Sequence, residues 1–521
     1  MQQPQPYQLS DRLTMASALE RRARETPDHG FIWFTETGQS LSFAAFNAEA
    51  NRLAHGLGTL GVARADIVVL TMKSRPEYLI ASYALKKIGA IEAGLNGSYD
   101  AAKLQEQLGT LQPRWSIVDV ENIEKLTPLL LEQSQLAGVI LVDRRPDTGP
   151  IETALGAIDW HGVLSENTTN LPHEGIADTD VAMIIMSSGT TGVSKGIQLT
   201  HRMAFIYADG LTKAYDLNAD DRVYVPWPLF HATGSICDTL TALYAGAGVV
   251  LAPKFSARSF WDHIRTYRGT WASSVGILQK VLWNAPAADD DRDHPLRLIW
   301  GGPHPVPRED FRNRFGVEAS LGYGTSEIGL INFQQPWDPD DSFGRIRRDV
   351  YDIRIVDDNG KPVPNGTKGE ITCRAVMEDA ITPGYLHRSD MNARVIRDGW
   401  FFTGDIGWID DDDNLYYLER RDSMIRHKGM LIAPADVEAL IERHPGVSSS
   451  AVVRVKSGLG DYDIAAFIES RPGESLSAND VRDFCVAHGP KWMTPARVII
   501  LDRIPLTQTG KPAVAELERM L

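Results

Sequence analysis

The stretch Met186-Ser187-Ser188-Gly189-Thr190-Thr191-Gly192-Val193-Ser194-Lys195-Gly196 follows an apolar run at 181–186 and gathers five hydroxyls, three glycines and one lysine. Glycines let the backbone turn so that several N–H groups converge, hydroxyls add donors without bulk, and the lysine brings positive charge to an oxyanion. That combination makes a phosphate cradle. The usual P-loop needs G-x-x-x-x-G-K-[ST]; here Lys195 stands between Ser194 and Gly196, so the spacing excludes a kinase or GTPase of that type. Gly192-Val193-Ser194-Lys195-Gly196 also fits G-x-S-x-G, the nucleophile elbow of α/β-hydrolases. An elbow turns straight from strand into helix, whereas Gly, Ser and Thr residues intervene here, so a serine hydrolase using Ser194 is the lesser reading.

This loop resembles the signature loop of the adenylate-forming enzymes, the superfamily of acyl- and aryl-CoA synthetases, adenylation domains and luciferases. Six further segments resemble its other signature blocks in the same order, so the resemblance runs over about residues 20–515. In the loop it implies phosphate contacts from Ser187, Ser188, Gly189, Thr190, Thr191, Gly192 and Lys195. Pro228-Leu229-Phe230-His231-Ala232-Thr233-Gly234 resembles the block beside the acyl pocket, which makes His231 a catalytic and substrate-contacting candidate. Trp300-Gly301-Gly302-Pro303-His304-Pro305 resembles the segment along the adenine, where Gly301, Gly302 and Pro303 let a flat ring approach the backbone. His304 has no counterpart there and reads as an exposed loop histidine.

Gly322-Tyr323-Gly324-Thr325-Ser326-Glu327 resembles the block in which the tyrosine stacks on adenine, the hydroxyl residue meets the α-phosphate and the glutamate holds Mg²⁺. Ser326 replaces the usual threonine and keeps the hydroxyl. A carboxylate suits a hard cation that also takes phosphate oxygens, and the resemblance implies Glu327 and Thr190 as the metal ligands. Trp400-Phe401-Phe402-Thr403-Gly404-Asp405 resembles the block whose aspartate accepts both ribose hydroxyls, two acceptor oxygens meeting two donors. Glu419-Arg420-Arg421-Asp422 stands where the family has Gly-Arg-x-Asp, giving Arg420 a ribose or phosphate contact and Asp422 the hinge, with Glu419 in place of the glycine. Pro505-Leu506-Thr507-Gln508-Thr509-Gly510-Lys511-Pro512 resembles the C-terminal block with the catalytic lysine. Attack of a carboxylate on a triphosphate joins two anions, and the Lys511 ammonium would offset their repulsion in the transition state.

The resemblance therefore implies activation of a small-molecule carboxylic acid by ATP and Mg²⁺, release of pyrophosphate, and capture of the acyl-adenylate by the thiol of coenzyme A. The acid pocket would include His231, Thr233, Val275, Gly276, Gly302 and Gly322, small enough side chains to leave space for an aromatic or medium acyl group. Ile425-Arg426-His427-Lys428-Gly429 and the segment 434–438 resemble the loop lining the pantetheine tunnel of coumarate-type ligases, which brings in Lys428 and Gly429. Residues 456–462 lack the Pro-Asp and Gly-Glu pairs common in CoA users, so the acceptor rests on less than the adenylation step. A carrier-protein thiol, or nitrite in diazotisation of an aryl amine, are the alternatives within the same fold. Residues 254–261 resemble carnitine and crotonobetaine CoA ligases and some fatty- or aryl-acid ligases. An amino-acid adenylation domain fits less well, because that group has aspartate where this chain has His231.

The elements that must position these residues alternate in type. Residues 43–60 and 78–88 have helical spacing; 66–72, 90–95, 116–120, 138–143, 181–186, 223–226, 248–252 and 298–301 read as strands. Alternation of this kind predicts an α/β body of mostly parallel sheets with helices on both faces. From residue 351 the texture becomes β-rich, broken by turn signals at Asp357-Asp358-Asn359-Gly360 and Asn365-Gly366. The last hundred residues carry a small α+β pattern, with helices at 435–444 and 478–487 and strands at 451–455, 464–469 and 498–501. A division into a large N-terminal domain, 1–421, and a small mobile C-terminal domain, 422–521, is expected, since 521 residues exceed what one core serves.

Composition agrees with that reading. Apolar residues make up 43% and aromatics 8%, as in ordinary globular chains. The 68 acidic against 53 basic side chains give −15, which argues against nucleic acid or an anionic membrane as partner. No apolar run approaches the roughly 18 residues needed to span a bilayer, and the polar, proline-bearing first twelve residues do not read as a secretory signal. Three scattered cysteines form no metal or disulfide pattern, so a cytoplasmic monomer or homodimer is expected.

Overall fold

The structure is a computed structural model that describes all residues other than 1–3, 144–155, 173–174, 188–193, 275–276, 303, 305, 422, 428–429, 457–461, 472 and 508–511. Two seven-stranded sheets carry the first 320 residues. One runs in the order Ile158–Asp159, Gly138–Val142, Trp115–Asp119, Ile67–Thr71, Ile91–Gly94, Val181–Ser187, Lys195–Thr200 and is parallel except for its last pair. The other runs Glu318–Ser320, Leu298–Trp300, Trp271–Ser273, Arg222–Val225, Gly248–Leu251, Gly30–Phe34, Ser40–Ser42, again parallel except at one edge. Strands buried on both faces read as apolar runs, which is why 67–71 and 248–251 show no alternation.

Helices lie between and outside the sheets. Phe43–Thr59 starts where the Ser42 side chain accepts from the Ala45 N–H. Pro76–Ile88 has proline at its first position, where a missing N–H costs nothing, and ends on Gly89 at φ 79°. His201–Tyr215 is buried on nearly every face, because it is enclosed between the sheets within the largest apolar cluster.

A five-stranded antiparallel sheet follows, with Tyr351–Val356, Gly369–Ala375, Trp400–Ile409 and Ile396–Arg397 in that order and Leu415–Arg420 paired to Trp400–Ile409. Beyond it, Val447–Lys456, Tyr462–Ser470 and Arg497–Leu501 form a separate sheet. It packs with Pro434–Glu442, Ala478–His488 and Val514–Arg519 around two apolar clusters drawn only from residues 425–521. Lys280 reaches across to this part of the chain, pairing with Glu442 at 2.9 Å and meeting Ser449 Oγ at 3.4 Å. Among the described residues no helix is long and apolar enough to cross a membrane.

The expected strands and helices are found within a few residues of their predicted limits; the strands Gly30–Phe34, Ser40–Ser42, Trp271–Ser273 and Glu318–Ser320 were not foreseen, nor were two elements next to the site. Lys195–Thr200 is a strand returning antiparallel to Val181–Ser187, with Ser187 opposite Lys195. Thr233–Leu240 is a π-helix, in which Thr239 Oγ1 and Thr241 Oγ1 donate to carbonyls five residues back, at 2.8 and 3.2 Å. Such i→i+5 turns cluster at functional sites.

One polar group buried in the body bears on the site. Glu92 is 1% exposed and accepts from Tyr78 Oη at 3.0 Å and Ser82 Oγ at 2.6 Å, while pairing with the Lys86 ammonium. Two residues on, a Cβ at Gly94 would come within 2.7 Å of the Phe230 Cα, so this strand end sets the backbone next to His231. Glu92→Gln would strand a buried ammonium and is expected to cost about 3–5 kcal/mol in urea unfolding; a loss below about 1 kcal/mol would contradict the ion pair.

Candidate active site

The strand Val181–Ser187 delivers the chain into the glycine- and hydroxyl-rich loop, and Lys195–Thr200 takes it away. Residues 188–193, which include the candidates Ser188, Gly189, Thr190, Thr191 and Gly192, lie outside the described residues. So do Val275, Gly276, Pro303, Asp422, Lys428, Gly429 and Lys511. At the rim of the loop Ser194 is fully buried; its N–H donates to Glu106 and its Oγ takes a bond from Gln107 Nε2 at 3.4 Å. A strand, not a helix, follows it. A nucleophilic serine must be open and paired with a base, so this geometry disfavours a hydrolase built on Ser194.

Lys195 points its ammonium over the Tyr385 ring at 5.2 Å from the centroid, and the Tyr385 hydroxyl donates to Glu327 Oε1 at 2.9 Å. A cation, an aromatic ring and a carboxylate thus join the phosphate-loop strand to the 322–327 segment. Leu386 N–H donates to Gly196 O at 2.8 Å, which fixes Tyr385 beside that strand. Burial, and after it the Glu327 charge, raises the Tyr385 hydroxyl pKa, so it remains a donor. Tyr385 was not legible in the sequence; its one signal is an aromatic residue after the turn-forming Pro383-Gly384.

Asp405 is the second anchor. It is 2% exposed, accepts from Tyr323 Oη at 2.5 Å and pairs with Arg420 Nε at 2.9 Å, Arg420 standing opposite it in the antiparallel register. Burial followed by the Asp405 carboxylate drives the Tyr323 hydroxyl well above its ordinary pKa. Desolvation opposes the charge on Arg420, yet the carboxylates of Asp405 and Glu327 outweigh it and raise the guanidinium. Asp405, Arg420, Tyr323 and Glu327 therefore share one electrostatic neighbourhood, although they come from three stretches of chain. The Tyr323 ring stacks on Tyr417 at 5.4 Å, an aromatic that the sequence did not single out. Tyr207 Oη donates to Thr325 O at 3.0 Å and Ser326 O at 3.2 Å, holding the turn before Glu327. Glu419 pairs with Ile406 beside a register shift between Ile406 and Gly407, and its carboxylate takes the Arg420 N–H at 2.8 Å, so a side chain in place of the family's glycine is accommodated.

The glycines behave as a cradle should. Gly301 has φ 100°, and a Cβ there would lie 2.2 Å from Ser274 O. A Cβ would meet Leu321 Cδ2 at 2.1 Å from Gly302, Asn332 O at 2.9 Å from Gly322 and Gly329 O at 2.1 Å from Gly324. At Gly301, Gly322 and Gly324 the clash is with backbone, so only bare backbone fits there, whereas at Gly302 the Leu321 side chain would have to shift. His304 departs from the exposed loop histidine expected of it. Its ring nitrogens face Gln279 Oε1 at 3.0 Å and Gln334 Oε1 at 3.3 Å, and burial lowers its pKa to about 4. Gln279 Nε2 in turn donates to Gly301 O at 2.7 Å, so His304 tethers the glycine loop from beneath. His231 ends the turn at 228–231, donating its N–H to Pro228 O at 3.1 Å, and Thr233 opens the π-helix.

A buried anion ringed by a tyrosine and an arginine, a glutamate near a lysine-bearing strand and a glycine cradle define a nucleotide-handling α/β enzyme. Residues 19–386 match the AMP-binding enzyme family and residues 436–511 match the AMP-binding enzyme C-terminal domain. The chain belongs to the AMP-binding enzyme family. It is 31% identical over 497 residues to a crotonobetaine/carnitine–CoA ligase of Salmonella agona, covering 91% of this chain and 92% of that protein. It is 28% identical over 490 residues to 4-coumarate–CoA ligase 2 of Nicotiana tabacum, covering 91% and 88%. In fold it is similar to an anthranilate CoA ligase in complex with anthranoyl-AMP, with a TM-score of 0.87, 22% identity and 99% of each chain covered. A benzoate CoA ligase from Burkholderia xenovorans LB400 superposes with a TM-score of 0.85 at 21% identity, covering 97% of this chain and 100% of that one.

Tyr323→Phe removes the hydroxyl donor from a buried carboxylate. Unfolding free energy is expected to fall by about 1–3 kcal/mol, and a variant as stable as the parent would show that Asp405 does not need that bond.

Proposed function

We propose that this enzyme is an acid–thiol ligase: it activates a small carboxylic acid with ATP to an acyl-adenylate, releases pyrophosphate, and transfers the acyl group to coenzyme A. The observation that carries the reading is the convergence of Asp405, Arg420, Tyr323 and Glu327 beside the strand ending in Ser187. Asp405 would take the ribose hydroxyls. Its two oxygens have lone pairs beyond those used by Tyr323 and Arg420. Gly301, Gly302, Gly322 and Gly324 would let adenine lie on backbone. Ser187, Lys195 and the loop residues 188–192 would meet the phosphates, with Ser326 at the α-phosphate. A divalent cation such as Mg²⁺ would offset phosphate charge, held by Glu327 with Thr190; the single carboxylate of Glu327 suits an ion that keeps phosphate and water oxygens.

In the first half-reaction a carboxylate oxygen of the acid bonds to the α-phosphorus while the bond to the pyrophosphate oxygen breaks. In the second, the CoA thiolate bonds to the acyl carbon and AMP leaves. His231, Thr233, Val275, Gly276, Gly302 and Gly322 would line the acid pocket, and Lys428 and Gly429 the thiol approach. Relatives named for CoA thioesters of carnitine-type and coumarate-type acids support CoA as acceptor. Three buried free cysteines support a reducing cytoplasm.

The proposed domain division falls at 421/422, supported by the apolar clusters confined to residues 425–521. Lys511 would lie over the phosphates for adenylation and withdraw for thiol capture, with Asp422 as the pivot and Lys280–Glu442 as one contact that such a movement must exchange. A panel of acids assayed for pyrophosphate release with and without CoA tests the reading, CoA-dependent thioester formation being the expected result. Lys511→Ala should lower the rate of adenylate formation by about 10²–10³ with ATP binding retained. Pyrophosphate release at the parental rate would remove Lys511 from the mechanism, and AMP formation without any CoA thioester would remove CoA as acceptor.

A further inference from the structure

Residues 382–386 form a strap between two parts of the site. Thr382 donates its N–H to Glu327 O at 2.7 Å and its hydroxyl to Gln198 O at 2.7 Å. Gln198 N–H bonds to Gly384 O at 3.2 Å and Leu386 N–H to Gly196 O at 2.8 Å, so the strap lies along the strand Lys195–Thr200. Gly384 has φ 128°, and a Cβ there would come within 2.7 Å of Asn392 Nδ2. That close approach lets Asn392, on the helix Ser389–Val395, grip the backbone of Tyr385 from both sides. Its Oδ1 takes the Tyr385 N–H at 2.8 Å, and its Nδ2 donates to Tyr385 O at 3.2 Å.

The side chain of Tyr385 works from this fixed base. The residue is 4% exposed; its hydroxyl donates to Glu327 Oε1 at 2.9 Å, and the Lys195 ammonium stands 5.2 Å from its ring centroid. Glu327 is only half-buried, so water can satisfy its carboxylate and the phenol is not needed for that. What the bond adds is orientation: it engages Oε1, sets the plane of the carboxylate and leaves Oε2 to a further partner. On the other side, the ring offers an ammonium its electron-rich face at a distance where the attraction counts. Tyr385 is a neutral partner to both groups, and it orients the two charges without cancelling either.

We propose that Tyr385 is a positioning residue for nucleotide activation: its hydroxyl aims the Glu327 carboxylate at the divalent cation, and its ring carries the Lys195 ammonium toward the phosphates. This rests on the acid-ligase reading above, in which Glu327 holds the cation and Lys195 meets the phosphates. A hydrogen-bond partner behind a metal ligand is worth about 10–100-fold in metal affinity.

The test follows two quantities. One is Mn²⁺ binding in the presence of α,β-methylene-ATP, read from the paramagnetic resonance signal of the free ion; the other is KM for ATP in pyrophosphate release at saturating Mg²⁺. Tyr385→Phe keeps the ring and loses the hydroxyl, and it is expected to weaken Mn²⁺ binding by about tenfold with KM for ATP near the parental value. Tyr385→Leu loses both and should also raise KM for ATP, by about fivefold. Parental Mn²⁺ affinity in Tyr385→Phe overturns the proposal, as does a fall in kcat with both quantities unchanged, which would make Tyr385 structural. Should Tyr385→Phe fail to fold, Thr382→Val is read in its place, since it frees the strap from Gln198 O and keeps the Thr382 N–H on Glu327; weakened Mn²⁺ binding supports the proposal and parental binding overturns it. If no acid gives pyrophosphate release while the Mn²⁺ shift is seen, the positioning role stands and the ligase reading falls.

Discussion

Asp405 needs partners, and that need organises the site. A carboxylate at 2% exposure is costly unless hydrogen bonds and a cation compensate it. The partners come from different elements: Tyr323 from the turn after the second large sheet, Arg420 from the neighbouring antiparallel strand. Satisfying one charge therefore clamps the β-rich sheet to the α/β body. Arg420 feels Glu327 as well, and Glu327 is tied through Tyr385 to the strand of Lys195. From a single buried anion the chain of contacts runs to the rim of the phosphate loop.

Close backbone approach is the complementary constraint. Gly301, Gly302, Gly322 and Gly324 leave no room for a Cβ, because Ser274, Leu321, Asn332 and Gly329 already press on them. These contacts hold the ends of the strands Trp271–Ser273 and Leu298–Trp300 at one level, at the carboxyl edge of a parallel sheet. Open α/β sheets bind ligands at that edge, where the strands release their loops. His304, half-buried with its ring nitrogens facing Gln279 and Gln334, is linked to the same loop through the Gln279 bond to Gly301 O.

The acidic surplus and the small C-terminal part fit an enzyme that handles small anions rather than polyanions. Glu438 illustrates how charge gathers between the two parts. It is half-buried and accepts from Val452 N–H at 2.7 Å, and desolvation followed by its neighbours Glu442 and Glu419 raises its carboxyl to about 7. Lys280 opposes that rise from the body. Among the described residues, Lys280 joins the two parts through polar contacts with Glu442 and Ser449.

What the sequence determined by itself was local. Apolar runs placed five strands of the first large sheet and three of the second, because a strand buried on both faces has to be apolar whatever its neighbours are. Spacing also settled that the 187–196 loop is no P-loop, while the resemblance to the adenylate-forming enzymes, not residue type, singled out the carboxylates, arginine and lysine expected to serve a nucleotide. The tertiary structure decided what depends on residues far apart in the chain. The return strand Lys195–Thr200 exists because it pairs with Val181–Ser187, Tyr385 reaches Glu327 across 58 residues of chain, and His304 is half-buried because Gln279 and Gln334 flank it. Side-chain type is written in the chain, but burial and partnership follow from packing, and those two decide whether a carboxyl group is a surface charge, an anchor or a binding group.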